Sequence, residues 1–384
     1  GDPWMTRPLR VVWFGTWRRE YSRNRIMIAA ARSAGLDVVE CHASLWGEVE
    51  DRVRLASGGW RNPLFALRLV RAWLQLLARI RKFEPWDLLV LGYPGLYDVP
   101  VAHRIARFRR RKYVLDAFMS PWLIALERGL VQRAPLTGKM LHAIERATLT
   151  RPDLILQDTA EYAAWTRREF GVSPDRVRLV PTGADTTLFF PRPYAPSPDG
   201  SFRIVYVGTF IPNHDVGTMI RAAARLRDIS EIRFRFVGDG PDRPAAEQFA
   251  RDHGLAQIRF DPPVPPDQVP HCLAEADIAL GAFGTTPQSL MTIQNKIYEA
   301  LAMAKPVVTG DSPAVRSLFE HARHLWLCPR ANPEALADAL RHLHQNPSVR
   351  QSLAEAGHAR FREVGTIEAI GRTLRRHFEE LLVR

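Results

Sequence analysis

Twice along this chain of 384 residues, six short apolar runs alternate with stretches of helical periodicity. The first set falls at 10–14, 38–41, 88–92, 113–117, 154–157 and 177–180. The second falls at 203–207, 234–237, 258–260, 278–282, 306–309 and 325–327. Such short β-branched runs are strands buried on both faces, and that means a parallel sheet with helices on either side. The helical stretches between them supply the right-handed crossovers that parallel strands need. Phe189-Phe-Pro-Arg-Pro-Tyr-Ala-Pro-Ser-Pro-Asp-Gly200 separates the sets and has the composition of a linker. The expected fold is α/β, with two Rossmann-like domains over 5–185 and 186–365 and one cleft between them. A last amphipathic helix is expected over 366–384. Ligands of such sheets bind beyond the carboxyl ends of the strands, so the loops there are where chemistry is sought.

Composition narrows the partners. With 46% hydrophobic and 24% charged residues the chain reads as globular. No apolar run approaches the roughly 20 residues of a membrane span. Gly1-Asp-Pro-Trp4, ahead of Met5, reads as a cloning remnant, and no signal peptide is expected. Cys41, Cys272 and Cys328 lie far apart and form no metal-spaced cluster, so buried thiols in a reducing, cytoplasmic setting are expected. The net charge of +12 is unevenly placed. Residues 1–185 hold 30 Lys and Arg against 19 Asp and Glu, a net of +11. That asymmetry points to an anionic partner on the first domain. Nucleic acid is set aside, because aromatic residues do not interleave with the basic runs as in a recognisable module.

The most telling segment is Asn295-Lys-Ile-Tyr-Glu-Ala-Leu-Ala-Met-Ala-Lys-Pro-Val-Val-Thr-Gly-Asp-Ser-Pro313. It reads as a helix capped by Asn295, then a buried strand, then a turn. Lys296 and Glu299 stand three apart and share a helix face. The free N–H groups of the first turn suit an anion.

This segment resembles the nucleotide-sugar signature of retaining glycosyltransferases of the GT-B fold, family four. Val180-Pro-Thr-Gly-Ala-Asp185, Val205-Tyr-Val-Gly-Thr-Phe-Ile-Pro-Asn-His214, Phe236-Val-Gly-Asp-Gly-Pro241 and Glu275-Ala-Asp-Ile-Ala-Leu280 are similar to other family segments, in the same order. The resemblance implies that the C-terminal helix crosses back to the first domain. It implies that Glu299 accepts hydrogen bonds from the ribose hydroxyls, and that Gly208 lets backbone approach a diphosphate. Where the family carries an arginine and a lysine in that loop, this chain has Thr209 and His214. Lys296, with His214 when protonated, would then compensate the phosphates. Gly238 and Asp239 would shape the site wall, Asp239 as turn-former or ligand. Val264 falls where the family contacts the base. The family's first signature glutamate, eight residues before Glu299, is Met291 here. Gln288, Ser289 or Thr292 would then contact the sugar. The change fits a subfamily, an altered donor or an inactive protein.

In the first domain, Gly15 and Thr16 would face the cleft, and Arg23 and Arg25 would meet anionic groups of donor or acceptor. Asp116 stands where the family often has a histidine against the donor sugar. It would contact a sugar hydroxyl or orient the acceptor, or else act as a cap. The segments 63–82 and 103–112 combine apolar and basic residues at helical spacing. They read either as core-packed helices with charged edges or as contacts to an anionic membrane. No Asp-x-Asp pair occurs, so no metal cofactor is expected. The activity implied is metal-independent, retaining transfer from a nucleoside-diphosphate sugar to a glycan or lipid-linked acceptor. The alternatives are a nucleotide-sugar epimerase and a non-catalytic sugar-nucleotide or membrane-surface binding protein.

Overall fold

The structure is a computed structural model that describes residues 7–45 and 62–384. The stretch Gly1–Trp4 lies outside the described residues. The chain forms two compact units, one from the chain up to Pro181 together with Ile367–Arg384, the other from Thr182–Thr366.

Each unit is built on a six-stranded sheet in which every pairing is parallel. The first contains β1 (Arg10–Gly15), β2 (Asp37–His42), β3 (Leu88–Leu91), β4 (Lys112–Asp116), β5 (Leu154–Gln157) and β6 (Val177–Leu179), in the order β2-β1-β3-β4-β5-β6. The second contains β7 (Phe202–Val207), β8 (Ile232–Val237), β9 (Ile258–Asp261), β10 (Ile278–Leu280), β11 (Val307–Gly310) and β12 (Trp326–Cys328), in the order β12-β11-β10-β7-β8-β9. The chain reverses its direction of winding beside β1 in one sheet and beside β7 in the other. Loops leaving those strands open the crevice where such sheets bind ligands.

The expected strands all form, with ends shifted by a residue or two. Central strands such as β3 and β11 are buried along their whole length, as continuous apolar runs require. The second unit also contains helices Pro287–Met291 and Pro347–Val364, which fall outside the expected pattern. The first is a short helix capped by Thr286, within a stretch that reads as polar turn.

The terminal helix Ile367–Val383 belongs to the first unit. It buries Ile370, Leu374, Phe378 and Leu381 in a core shared with Trp13, Met27 and Ala30. Gly371 makes that contact close, since a Cβ there would lie 2.3 Å from the carbonyl oxygen of Ala30. All three cysteines are free and buried. Among the described residues no helix is long and apolar enough to cross a membrane.

The helix Pro63–Ile80 is only partly core-packed. Phe65, Ala72, Leu76 and Ile80 are buried, whereas Leu64, Leu67, Val70, Leu74 and Leu77 are exposed. One helix therefore carries a buried apolar face and a second, solvent-facing apolar row.

Candidate functional site

The loops at the carboxyl ends of β7 and β8 bring most of the expected second-unit residues together. Gly208 follows β7, and its N–H donates to the Val237 carbonyl oxygen at 2.9 Å. A Cβ on Gly208 would stand 2.7 Å from Lys296 Cε and 2.9 Å from its Nζ. The glycine is thus the floor over which the lysine lies. Gly238, at φ +142°, follows β8, and a Cβ there would stand 1.9 Å from the Gly208 carbonyl oxygen. Only glycine allows these two strand ends to meet.

Lys296 Nζ lies 5.4 Å from the centre of the Tyr206 ring and 3.2 Å from His214 Nε2. The Nδ1 of His214 is 2.6 Å from the Thr209 carbonyl oxygen, which also accepts from the Tyr206 hydroxyl at 2.8 Å. These partners define the tautomer: Nδ1 carries the proton and donates to Thr209, while Nε2 accepts from the ammonium. Burial, and then the charge of Lys296, hold the imidazole down at about 3. The expectation that protonated His214 compensates phosphate charge is corrected accordingly. His214 is neutral and positions Lys296. Thr209 contributes a carbonyl to this chain of contacts, and its residue is exposed.

Lys296 and Glu299 are both half-buried on the helix Asn295–Ala302. Burial lowers the lysine to about 8, with Glu299 acting against the shift. Burial raises the Glu299 carboxyl to about 7, with Lys296 acting against it. Each needs its charge stabilised, and the site does so incompletely. The Glu299 side-chain carboxylate accepts no hydrogen bond from any described residue. Both its oxygens are open to donors from a ligand.

Asn295 is not the cap. It is the first residue of the helix, and Gln294 holds the cap position without a side-chain capping bond. Gln294 instead donates from Nε2 to Thr292 Oγ1 at 3.1 Å. Asp239 is the turn-former of its two readings, since its Oδ1 accepts from the Gly240 N–H at 2.7 Å. Val264 lies half-buried in the loop after β9. Gln288, Ser289 and Thr292, the candidates for sugar contact, are buried. Ser289 Oγ donates to the Asn213 carbonyl at 2.6 Å and accepts from Arg330 Nη1 at 2.9 Å. Thr292 Oγ1 donates to the Gln288 carbonyl at 2.9 Å. Neither hydroxyl is left for a ligand.

Sequence reasoning overlooks Arg330. Its guanidinium is bonded to the carbonyls of Gly284, Gly310 and Asp311, which ties together the loops after β10 and β11. The nearest signal is Gly310, where a Cβ would meet Arg330 Cγ at 2.6 Å.

In the first unit the expected residues bind one another. Thr16 is fully buried, donating through N–H at 2.8 Å and through its hydroxyl at 3.0 Å to Asp98. A Cβ on Gly15 would stand 2.4 Å from the same carboxylate. Gly15 and Thr16 thus form the seat of Asp98, a residue with no motif to mark it. Burial raises its carboxyl to about 7 against the Thr16 bonds.

Arg23 is also buried. Its Nε and Nη2 grip Asp116 at 2.8 and 2.9 Å, and Nη1 donates to the Val180 carbonyl at 3.1 Å. Phe118, at φ +50°, covers the guanidinium at 4.5 Å. Arg23 as a contact for soluble anions, and Asp116 as a free carboxylate toward sugar, are both corrected by this closed pair. Arg25 stays exposed. Beside the pair, Asp158 is 4% exposed, and neither carboxylate oxygen has a hydrogen-bond partner. Burial raises it to about 7 against the nearby charge of Arg23.

Two parallel sheets, each with a glycine-floored loop after its first strand, define two Rossmann-like units. Solved structures of the same architecture include sucrose-phosphate synthase from Thermosynechococcus elongatus. That comparison gives a TM-score of 0.73 at 17% identity, covering 98% of this chain and 99% of that one. HepE of Anabaena in complex with UDP-glucose gives a TM-score of 0.69 at 15% identity, covering 97% and 100%. These likenesses establish the GT-B fold.

Residues 201–346 match the model of the family described as Glycosyl transferases group 1. Among curated relatives, D-inositol 3-phosphate glycosyltransferase 1 of Catenulispora acidiphila is 26% identical over 310 residues, covering 74% of this chain and 73% of the relative. With several other relatives the match spans between 39% and 56% of their length.

Proposed function

We propose that the chain is a retaining glycosyltransferase that moves a sugar from a nucleoside-diphosphate sugar to a hydroxyl acceptor without a metal. The observation that carries this reading is the open Glu299 carboxylate one helical turn from Lys296, above Gly208. Ribose hydroxyls donate to Glu299. The ammonium, steered by neutral His214, meets the diphosphate together with N–H groups of the first turn of the helix Asn295–Ala302. These groups take up charge on the leaving diphosphate, which is electrostatic stabilisation by preorganised donors. In retaining transfer of this type the departing phosphate assists deprotonation of the acceptor, so no protein nucleophile is assigned. The complex of HepE with UDP-glucose supports a uridine nucleotide as the first donor to test.

The acceptor is a lipid-linked or anionic glycan held by the basic first unit. The exposed apolar row on the helix Pro63–Ile80, together with Arg68, Arg71 and Arg79, favours a peripheral position on an anionic membrane surface, such as the inner face of the plasma membrane. A non-catalytic sugar-nucleotide binding protein is the second reading, and Met291 in place of an acid favours it.

Calorimetry with UDP-, GDP-, ADP- and dTDP-sugars, followed by turnover assays, separates the two. Binding that Glu299→Ala abolishes, with the melting temperature kept, supports the site. Binding unchanged in Glu299→Ala refutes it. Binding without turnover on any donor and acceptor selects the second reading.

A further inference from the structure

In the second sheet β12, β11, β10 and β7 are consecutive neighbours, so their carboxyl ends stand in a row. Arg330 follows the first of them, just beyond Cys328, and its side chain reaches along the row. Nε donates to the Asp311 carbonyl oxygen at 2.8 Å, and Nη2 to that of Gly310 at 3.3 Å, at the end of β11. Nη1 donates to the Gly284 carbonyl oxygen at 2.8 Å and to Ser289 Oγ at 2.9 Å, in the segment after β10. These acceptors are all neutral oxygens, while the Asp311 carboxylate is held by Arg316 at 2.6 and 2.8 Å.

The segment that Arg330 grips is in turn the support of the loop after β7. Ser289 Oγ donates to the Asn213 carbonyl oxygen at 2.6 Å, and the Gly284 N–H donates to the same oxygen at 3.1 Å. Thr286 Oγ1 donates to Asn213 Oδ1 at 2.8 Å. The Phe283 N–H donates to the His214 carbonyl oxygen at 3.0 Å. A Cβ on Gly284 would stand 2.2 Å from the Pro212 carbonyl oxygen and 2.5 Å from that of Asn213, so backbone rests directly on backbone there. Asn213 and His214 are thus fixed by bonds from the one segment 283–289, and His214 Nε2 lies 3.2 Å from Lys296 Nζ.

We infer that Arg330 is a positioning residue for the diphosphate end of the donor, acting through segment 283–289 and His214 on Lys296 rather than by contact with the donor. The inference rests on the donor reading of Glu299 and Lys296. A guanidinium suits the task because its N–H donors point outward in one rigid plane and can hold several loops at once. A lysine keeps the charge and loses the fork. A site is precise when the groups behind its contact residues are themselves locked, and Arg330 locks the loop that carries the aiming histidine.

The test compares binding of a nucleoside diphosphate, whichever of UDP, GDP, ADP and dTDP the wild type takes up, with binding of its nucleoside. Calorimetry measures the first and titration by nuclear magnetic resonance the second. Arg330→Lys should weaken the diphosphate by roughly tenfold and leave the nucleoside unchanged, since only the ammonium end is disturbed. Ser289→Ala cuts the link to Asn213 while the guanidinium stays on Gly284, Gly310 and Asp311. It should show a smaller loss of the same kind, and it carries the test if Arg330→Lys proves unfolded in a melting curve. A double-mutant cycle with Lys296→Met is decisive. Each Arg330 or Ser289 substitution should have little further effect on diphosphate affinity once the ammonium is gone.

Diphosphate affinity kept in full by both variants overturns the inference. So does a parallel fall in nucleoside affinity, which marks general damage, or a loss that persists undiminished in the Lys296→Met background. These outcomes leave the donor reading standing. Failure of the wild type to bind any of the four diphosphates, or binding indifferent to Glu299→Ala, refutes the donor reading itself and takes this inference with it.

Discussion

Lys296 Nζ lies 3.2 Å from Nε2 of His214, and this contact decides which of the two carries charge. A protonated imidazole has no lone pair to accept from an ammonium. The neutral ring does, and its other nitrogen is committed to the Thr209 carbonyl. The loop after β7 thereby turns a histidine into an aiming device for a lysine that belongs to a helix 82 residues further on.

Gly208→Ala tests that geometry. The new methyl would meet the far end of Lys296, which can swing aside, and also the hydroxyl of the buried Tyr206 at 2.9 Å, which has less room to move. Stability should therefore fall modestly, while kcat/KM for donor should fall on the order of 10²-fold through misplacement of the ammonium. A melting curve and steady-state kinetics on the same preparation check both halves. An unchanged kcat/KM would remove Lys296 from the diphosphate.

Donor use should be bell-shaped in pH. Glu299 titrates at about 7 and Lys296 at about 8, as an interacting pair. Below the first value Glu299 is protonated and accepts hydrogen bonds from ribose less well. Above the second the ammonium is lost. The profile of kcat/KM reports the free enzyme and should show both limbs. Glu299→Gln should remove the acid limb and leave the alkaline one.

Asp158 makes a stability prediction of definite sign. Its carboxyl titrates near 7 when folded, against an ordinary value of 3.8. The folded state binds the extra proton between those values, so the contribution is present below about 3.8 and lost as pH rises through 7. Asp158→Asn avoids charging an unpartnered buried group. The variant should melt higher than the wild type at pH 8, with the gap closing toward pH 4. A gap independent of pH would show that Asp158 finds a partner.

The Arg23–Asp116 pair should behave as structure. Asp116→Asn or Arg23→Met alone leaves a buried charge uncompensated, at a cost of about 3–5 kcal/mol. The double variant should be less damaged than the sum, as chemical denaturation of the four proteins would show. A loss of turnover in Asp116→Asn with no loss of stability would instead return that residue to a direct role.

Leu67→Glu/Leu74→Glu places acids in the exposed apolar row without touching the core. Binding to anionic vesicles should fall to background, and wild-type binding should weaken with added salt. Cosedimentation at two salt concentrations measures both. Salt-insensitive binding would argue against an electrostatic membrane contact.

Much of this was legible in residue order, for identifiable reasons. Strands such as Leu88–Leu91 and Val307–Gly310 are fully buried, so their apolar runs announce them without tertiary knowledge. Gly208, Lys296 and Glu299 stand at places that strand ends and helix phase dictate. The cap was misread because Asn outranks Gln in intrinsic preference. The packing of Ile293 and Ile297, exposed by only 2% and 0%, sets the helix phase and hands the cap to Gln294.

By itself the amino-acid order determined the two parallel sheets, because continuous apolar runs and helical periods are local signals. It also determined which loops follow which strands, and so placed the proposed donor site near Gly208. Only the tertiary structure decided what each polar side chain meets. Arg23 and Asp116 are 93 residues apart, and Gly15 faces Asp98 through a sheet whose strands are not in sequence order. Charge state followed the same rule: a neutral histidine, a weakened lysine and a raised glutamate arise from burial and from neighbours brought across the fold. Neither can be read from spacing along the chain.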